Sequence, residues 1–283
     1  MHRDASTHTG YDFETVETLL EALTSRLPRR RAALVGLSGL QGSGKSTLAR
    51  QIAAAASAHG IATEVLALDD FYRGRGERAV LARTIHPLLA TRGVPGTHDL
   101  ALLDRTLRAL GKASPRHPAR IPRFDKGRDT RLPPSRWRRV SIAPRLIVLE
   151  GWCVGVPAAE RREIARPLNA LEREDDADGR WRACVEAELA GDYANLWHRL
   201  DALIVLAAPD FAIVEKWRGE PERMLRRRGA PRAMSPSVLR RFLMHYERLS
   251  RRALKVLPAI ADIVVTLDEM RRVERTTRRN RNR

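Results

Sequence analysis

The amino-acid sequence predicts an α/β fold in which helices cover both faces of a parallel sheet of about five strands. Three observations support this class. Five short runs are predominantly apolar without an alternating polar pattern, which is typical of strands buried on both faces. Helical patterns separate these runs along the chain. A glycine-rich loop joins the first run to a helix, and the five runs are 32–38, 62–70, 145–151, 202–208 and 261–268.

The segments between the predicted strands are assigned from periodicity and composition. Apolar residues at steps of three and four predict a first helix over 11–28. The stretch 157–200 interrupts the alternation of strands and helices, and we expect it to be a helical insertion within a single domain of 1–283. The stretch 111–144 is rich in Pro and Arg and is expected to be irregular. The basic residues 274–283 are expected to form a disordered tail.

The composition restricts the classes of function. The chain has 283 residues and a formal net charge of +18, carried almost entirely by arginines that are spread along the sequence. We interpret most of this charge as a compositional bias of the sequence without functional meaning. The alternative is that the charge serves an anionic partner such as a nucleotide or a phosphorylated metabolite. Nucleic-acid binding is not favoured, because no basic segment interleaved with aromatic residues accompanies the charge.

The sequence shows no segment typical of membrane insertion, secretion or metal binding. No apolar run approaches the ~18 residues of a membrane span, and the N-terminus lacks the apolar stretch of a signal peptide. Cys153 and Cys184 show no metal-type pairing. We therefore expect a reduced, cytoplasmic protein without membrane contact, and the sequence leaves its oligomeric state open.

The segment GLQGSGKST, residues 39–47, is a candidate phosphate-binding loop because it satisfies the pattern G-x-x-x-x-G-K-[ST]. Its glycines let several backbone N–H groups point at phosphates, and the following helix presents the positive end of its dipole to the same anion. Lys45 would reach the β- and γ-phosphates, and the Ser46 hydroxyl would ligate Mg²⁺. We predict that ATP or GTP and Mg²⁺ are bound by Gly39, Gln41, Gly42, Ser43, Gly44, Lys45, Ser46 and Thr47.

Carboxylates follow two of the other predicted strands. Asp69 and Asp70 stand where the second run ends, and Glu150 ends the third. The carboxyl ends of parallel strands meet at one edge of the sheet, so we expect these acids beside the phosphate loop. An aspartate there can accept the proton of an attacking hydroxyl, and Glu150 would act as a Walker-B-like group directed at Mg²⁺. An isolated aspartate pair can also simply cap a loop, but two strand-end acids and Lys45 together favour catalysis.

The motifs GLQGSGKST, LALDDFY, RGVPGTHDL, IPRFDKGRD and LIVLEGW occur in this order. In their order and spacing the chain resembles the glycerate kinase branch of the phosphoribulokinase/uridine kinase-like P-loop kinases, and it looks most like the D-glycerate 3-kinase type. The similarity extends over nearly the whole chain beyond the first helix. It implies an ATP-dependent phosphotransferase that converts D-glycerate to 3-phosphoglycerate. It also implies that Asp69 is the general base and that Asp70 is a variable neighbour.

Loops between the second and third strands are candidates for binding the acceptor. The turn in RGVPGTHDL would direct side chains at the hydroxyl and carboxylate groups of the acceptor, although Asp99 can equally well cap the helix that follows. The charged segment IPRFDKGRD could clamp a carboxylate or be a solvated face, and only the resemblance favours binding. The candidate acceptor-binding residues are Asp69, Tyr72, Arg92, His98, Asp99, Arg123 and Asp125.

The segment 216–234 is a candidate lid, because kinases of this class close arginines over the phosphates as transfer proceeds. The candidate arginines are Arg218, Arg223 and Arg227, and the alternative is an exposed basic helix face. The segment departs from the family at Gly219, where glutamine is common, so the contacts of this lid can differ from those of its relatives.

Two further functions remain open on sequence grounds. The first is the same chemistry with another acceptor, such as a nucleoside, pantothenate or an unassigned metabolite. The second is a P-loop ATPase or nucleotide-dependent binding protein, which would release ADP without a small acceptor. The absence of a recognisable sensor or arginine-finger motif and the set of loops between the second and third strands speak against the second function.

Overall fold

A computed structural model of the chain describes residues 10–25, 27–227 and 234–279. The described residues form a six-stranded sheet, two small two-stranded sheets and the surrounding helices. The strands are β1 (Ala33–Gly39), β2 (Thr63–Ala67), β3 (Ala119–Ile121), β4 (Phe124–Asp125), β5 (Thr130–Arg131), β6 (Arg138–Val140), β7 (Leu146–Gly151), β8 (Ala202–Ala207), β9 (Ile263–Leu267) and β10 (Val273–Arg278).

Helices fill most of the connections between these strands. They are α1 (Phe13–Thr24), α2 (Lys45–Ala58), α3 (Arg75–Thr84), α4 (Leu100–Leu110), α5 (Arg161–Ile164), α6 (Ala170–Asp175), α7 (Arg180–Glu188), α8 (Ala194–Trp197), α9 (Ile213–Arg227) and α10 (Pro236–Ile260). Short 3₁₀ turns occupy Leu68–Phe71, Pro87–Ala90 and Pro134–Arg136, and a π-helical turn occupies Leu189–Tyr193.

The main sheet has the strand order β10–β9–β8–β1–β7–β2. The five strands predicted from the apolar runs, β1, β2, β7, β8 and β9, pair in parallel. The predicted fold class is therefore confirmed. Because β7 lies between β1 and β2, the carboxyl ends of these three strands are neighbours at one edge of the sheet.

The C-terminal segment differs from its prediction. The sequence predicts a disordered tail over 274–283, but β10 (Val273–Arg278) pairs antiparallel with β9 and adds a sixth strand to the expected five. Three of its six residues are β-branched, which favours a strand. The arginines between them hide that pattern, because an edge strand needs no continuous apolar run. Residues 280–283 of the predicted tail lie outside the described residues.

Polar residues at the N-termini of two helices form capping hydrogen bonds. The helix predicted over 11–28 is observed as α1, and Asp12 Oδ1 accepts a hydrogen bond of 2.7 Å from the Thr15 N–H. At the start of α10, Ser235 Oγ accepts from the Val238 N–H at 3.3 Å. No helix within the described residues is long and apolar enough to cross a membrane.

The core consists of two clusters, one on each face of the main sheet. Alternate residues of β7 show the division, since Leu146 belongs to one cluster and Ile147 to the other. Apolar residues of α1 and α2 lie in the first cluster, and those of α4, α7 and most of α10 lie in the second. Strands that contribute to both clusters are buried on both faces, which explains why their sequences are predominantly apolar.

The stretch 111–144, expected to be irregular, contains the two small sheets. Strand β3 pairs antiparallel with β6, and β4 pairs antiparallel with β5. Each strand has only two or three residues, too few to show an alternating pattern. The turn between β4 and β5 contains Asp129 at a φ of 55°, a left-handed conformation that is uncommon outside glycine.

The stretch 157–200 contains α5 to α8 and packs against α10 through buried charges. The Glu172 carboxylate of α6 is fully buried and accepts hydrogen bonds of 2.8 and 2.6 Å from Nε and Nη2 of Arg248 on α10. The Leu168 N–H also donates to it at 2.6 Å. A buried carboxylate that keeps several donors is compensated for its lost hydration.

Removing this carboxylate tests the docking of α6. Glu172→Ala would leave the Arg248 guanidinium without its carboxylate partner, so we expect the free energy of unfolding to fall by about 3–5 kcal/mol in urea denaturation. Glu174→Ala is the matched control, because Glu174 of the same helix is 61% exposed and pairs with Arg241 at the surface. The control should lose less than about 1 kcal/mol. Equal losses in the two variants would contradict the assignment.

Candidate active site

The phosphate loop lies between β1 and α2, as predicted. Gly42 and Gly44 have φ values of 83° and 91°, which few residues other than glycine adopt. A Cβ at Gly42 would also lie 2.7 Å from the Cβ of Trp217. Lys45 begins α2 and its Nζ donates to the Leu40 carbonyl at 3.1 Å. The loop therefore has the curvature that turns backbone N–H groups towards an anion.

The end of β7 joins the loop through a direct hydrogen bond. Ser46 Oγ donates to Oε1 of Glu150 at 2.6 Å. Glu150 is 7% exposed, and this burial raises its pKa, although Lys45 and the Ser46 hydroxyl act in the opposite direction. Burial likewise lowers the pKa of Lys45, opposed by Glu150 and Asp69. A hydroxyl and a carboxylate in contact at the phosphate loop are the oxygen donors that Mg²⁺ prefers.

The carboxylate of Asp69 lies in the 3₁₀ turn that follows β2. Its Oδ1 accepts from the Tyr72 hydroxyl at 2.9 Å, and its Oδ2 lies 2.5 Å from Lys126 Nζ. Burial acts to raise the pKa of Asp69, but Lys126 and Tyr72 outweigh it, so the pKa lies below its usual value. Asp69 is therefore ionised at neutral pH and held by partners on both of its oxygens.

Asp70 has a different environment from its neighbour. Its Oδ1 accepts from the Phe124 N–H at 2.9 Å, which attaches β4 to the end of β2. Burial raises the pKa of Asp70, and the Phe124 N–H opposes this effect. The structure thus gives Asp70 a contact that positions the β4–β5 hairpin.

His98 and Asp99, two of the predicted acceptor residues, do not line the cavity described below. The His98 ring stacks on Tyr72 at a centroid distance of 4.5 Å, and its Nδ1 lies 2.6 Å from the Tyr193 hydroxyl. Burial lowers the pKa of His98 to about 4, so the ring is neutral at neutral pH. Asp99 caps α4 by accepting from the Leu102 N–H at 2.9 Å. These residues support Tyr72 and the helix, and loop sequence alone does not reveal which side chains face inward.

The β4–β5 hairpin is held by an aspartate that sequence reasoning missed. Asp129 Oδ1 and Oδ2 accept from Arg78, which is 1% exposed, at 3.2 and 2.5 Å. Arg92 Nη1 donates to the same carboxylate at 2.5 Å, and its guanidinium lies 5.7 Å from the Phe124 ring centroid. Arg92 lines the cavity as predicted, but its charge is already paired.

Arg123 and Asp125, two further predicted acceptor residues, also line the cavity. Asp125 Oδ1 accepts from the Arg128 N–H at 2.9 Å inside the hairpin turn. The Arg123 side chain is exposed and has no ion-pair partner within the described residues. The Arg123 guanidinium is therefore available to bind an added anion.

One cavity of about 1110 Å³ connects the phosphate loop to the hairpin. It is large enough for a nucleotide and a small second substrate together. Most predicted site residues contribute to it, and the exceptions include His98 and Asp99. Its lining comprises Gln41, Gly42, Lys45, Ser46, Arg50, Val65, Ala67, Asp69, Asp70, Tyr72, Arg92, Ile121, Pro122, Arg123, Phe124, Asp125, Lys126, Leu132, Arg138, Glu150, Gly151, Trp152, Arg218, Phe242 and Tyr246.

Two polar groups indicate what this cavity accepts. Both the nitrogen and the oxygen of the Gln41 side-chain amide are buried at the lining without a hydrogen-bond partner among the described residues. The Ser46 hydroxyl points at Glu150, across the mouth of the phosphate loop. Together with the glycine cradle, these groups fit a bound triphosphate and its Mg²⁺.

The three lid candidates are not equivalent. Arg218 of α9 lines the cavity and pairs with Glu222 at 3.0 Å. Arg223 and Arg227 are exposed and do not line it. The part of the predicted lid at 228–233 lies outside the described residues.

A buried arginine from the turn between β9 and β10 contacts the phosphate loop. Arg271 Nε donates to the Gly42 carbonyl at 2.7 Å, and its Nη2 donates to Glu220 of α9 at 2.6 Å. Its guanidinium also lies 5.1 Å from the Trp217 ring centroid. Arg271 has a φ of 65°, which is uncommon for a residue other than glycine. This backbone conformation occurs where the β9–β10 hairpin, α9 and the phosphate loop meet. Sequence reasoning missed it, because no motif surrounds it.

The arrangement is that of a P-loop kinase, because the phosphate loop and a strand-end carboxylate face one cavity with room for a second substrate. The chain is 31% identical over 227 residues to an uncharacterized kinase, mug58, of Schizosaccharomyces pombe, covering 77% of this chain and 80% of that one. It is 28% identical over 224 residues to the chloroplastic D-glycerate 3-kinase of Arabidopsis thaliana, covering 75% of this chain. This chain spans 46% of the length of the Arabidopsis protein.

A solved structure shares the fold. The D-glycerate 3-kinase of Cryptococcus neoformans matches with a TM-score of 0.74 and 21% identity, over 95% of this chain and 100% of that one. No family model matches the chain. The chain belongs to the D-glycerate 3-kinase-like branch of the phosphoribulokinase/uridine kinase-like P-loop kinases.

Arg271 offers a test of the phosphate-loop contact. Arg271→Gln removes the charged donor to the Gly42 carbonyl, so we expect KM for ATP to rise about tenfold, the effect of losing ~1.4 kcal/mol. KM for the acceptor should change less than about twofold, since the acceptor side is untouched. The matched control is Arg272→Gln, an exposed neighbour, which should resemble the wild type. An unchanged KM for ATP in the Arg271 variant would contradict this role.

Proposed function

We propose that this P-loop kinase transfers the γ-phosphate of ATP to a hydroxyl of a small hydroxy acid, D-glycerate giving 3-phosphoglycerate. The observation that carries the proposal is the cavity in which the phosphate loop meets Asp69 and the cationic hairpin. The names of two relatives, the D-glycerate 3-kinases of Arabidopsis thaliana and Cryptococcus neoformans, support the choice of acceptor. A carboxylate on the acceptor suits the guanidinium of Arg123, which has no ion-pair partner among the residues that the structure describes.

In the proposed reaction, a hydroxyl of the acceptor attacks the γ-phosphorus while Asp69 takes its proton. Tyr72 donates to Asp69 at 2.9 Å and fixes the orientation of the carboxylate. Lys45 would leave the Leu40 carbonyl for the β- and γ-phosphates. Positive charge held in advance at the transferred group is the main contribution that a protein makes to phosphoryl transfer.

Ser46 and Glu150 would hold Mg²⁺, since their oxygens are in contact beside the phosphate loop. When bound, Mg²⁺ supplies positive charge that neutralises the phosphate oxygens. Of the lid candidates, Arg218 would approach the phosphates, because it alone of the three lines the cavity. Its partner Glu222 keeps the guanidinium in place until a stronger anion arrives.

The role of Asp69 is tested by Asp69→Asn, which keeps the shape of the side chain and removes the proton acceptor. We expect kcat to fall about 100-fold or more, with KM for ATP changed less than about twofold. Asp70→Asn is the matched control, because an amide oxygen can still accept from the Phe124 N–H. Near-normal turnover of the Asp69 variant in a coupled ADP-release assay would refute the assignment.

The acceptor is tested with a panel of D-glycerate, L-glycerate, glycerol, uridine and pantothenate. ADP release is measured with each compound, and mass spectrometry identifies the phosphorylated product. We expect D-glycerate to give the highest kcat/KM and a phosphomonoester product. A rate no higher than that with ATP alone would remove glycerate as the substrate. A high rate without any acceptor would instead favour an ATPase.

A further inference from the structure

The contact between Lys126 and Asp69 joins the β4–β5 hairpin to the proposed base. Lys126 Nζ lies 2.5 Å from Asp69 Oδ2, and both side chains line the cavity. The Lys126 side chain is 60% exposed and that of Asp69 is 30% exposed, so water reaches the pair. With Tyr72 on Oδ1, both oxygens of the base have a donor.

This contact opposes the function proposed for Asp69. A base must present a free lone pair to the hydroxyl that it deprotonates. An ammonium group on one oxygen reduces the basicity of the whole carboxylate. Asp69 therefore becomes a stronger base when Lys126 moves away from Oδ2.

The hairpin allows Lys126 to move without unfolding. Asp129 binds Arg78 and Arg92, and Asp70 binds the Phe124 N–H, so the hairpin backbone is held by contacts that do not include the Lys126 side chain. The Lys126 carbonyl itself accepts from Arg92 Nη2 at 3.4 Å. An exposed ion pair is weak and is easily replaced by another anion. The Lys126 side chain can swing while the backbone that carries it stays in place.

The residue type fits such a movement. Only five of the 52 cationic residues of the chain are lysines, and two of these, Lys45 and Lys126, line the cavity. An arginine would bind a carboxylate through two parallel hydrogen bonds and hold it more firmly. An ammonium group is a compact charge on a flexible stem and can change partners.

We propose that Lys126 determines acceptor specificity by covering Asp69 until the carboxylate of the acceptor takes the ammonium group away. The inference rests on the proposed function, since it assigns Asp69 as the base. Arg123 lies on the same hairpin without an ion-pair partner among the described residues and supplies a second cation for the same carboxylate. An acceptor without a carboxylate, including water, leaves the base covered.

The hydroxyl oxygen of the acceptor forms a bond to the γ-phosphorus, and the bond from that phosphorus to the bridging oxygen breaks. The electron pair stays on ADP, the hydroxyl proton passes to Asp69, and Lys126 keeps its own proton. If water attacked instead, the products would be ADP and inorganic phosphate. Lys126 suppresses this loss by covering the base when no acid is bound.

Lys126→Met tests the proposal, with Arg128→Met as the matched control. Arg128 is on the same hairpin, is 74% exposed and does not line the cavity. Three rates are measured for each variant: ATP hydrolysis without acceptor, phosphorylation of D-glycerate and phosphorylation of glycerol, which has no carboxylate. Thermal unfolding confirms that each variant is folded.

We expect Lys126→Met to hydrolyse ATP about threefold faster or more, because its base is uncovered. Its preference for glycerate over glycerol, as a ratio of kcat/KM, should fall about tenfold or more. Arg128→Met should keep both properties of the wild type. Either an unchanged hydrolysis rate or an unchanged preference in Lys126→Met overturns the proposal.

The measurements distinguish a failure of the proposed function from a failure of the proposal for Lys126. If wild-type protein did not phosphorylate glycerate, the acceptor assignment would be wrong. The hydrolysis rate needs no acceptor, so it would still decide whether Lys126 covers the base. The preference would then be measured between the accepted compound and its analogue without the acid group.

Discussion

The functional geometry of this chain depends on the position of β7 between β1 and β2. Glu150 at the end of β7 is in register with Leu37 of β1 on one side and with Ala67 of β2 on the other. Two residues further along each neighbour, the chain reaches Gly39, where the phosphate loop begins, and Asp69. Backbone pairing therefore brings the phosphate loop, Glu150, which is the proposed metal ligand, and Asp69, which is the proposed base, to one level of the sheet. Because hydrogen bonds along whole strands fix this register, substitutions of single side chains leave it in place.

The acceptor side of the cavity is held by a different kind of contact. The β4–β5 hairpin has only two paired residues on each strand and is not part of the main sheet. Its position depends on the Asp129 ion pairs and on the bond from the Phe124 N–H to Asp70. Side-chain contacts of this type can be exchanged singly, so acceptor specificity can change while the phosphate side remains intact. The separation is consistent with a fold that serves kinases with different acceptors.

The sequence predicted those features that short segments determine. Apolar runs identified the five parallel strands, and the strand order places the acids at the ends of β2 and β7 in one cavity with the phosphate loop, as the sequence predicted. In loops without periodicity the sequence does not show which side chains face the cavity, and His98 and Asp99, two predicted acceptor residues, do not line it. Arg271 is 229 residues from Gly42, which it contacts, and no local pattern can reveal such a pair. The same holds for Asp129, whose partners come from other loops, and for β10, whose arginines conceal an edge strand.

The charge of the cavity is smaller than the composition suggests. Arg78, Arg182 and Arg271 are almost fully buried and lie in ion pairs with acids of the chain itself. Among the cations that line the cavity, Arg92, Arg138 and Arg218 are paired with Asp129, Glu64 and Glu222. The charge that remains available for an added anion is therefore concentrated near the phosphate loop and on the hairpin that carries Arg123 and Lys126. A net charge of +18 therefore says little about which partners the protein binds. The cavity cations that form no strong ion pair with an acidic residue of the chain indicate where phosphate and carboxylate groups can bind.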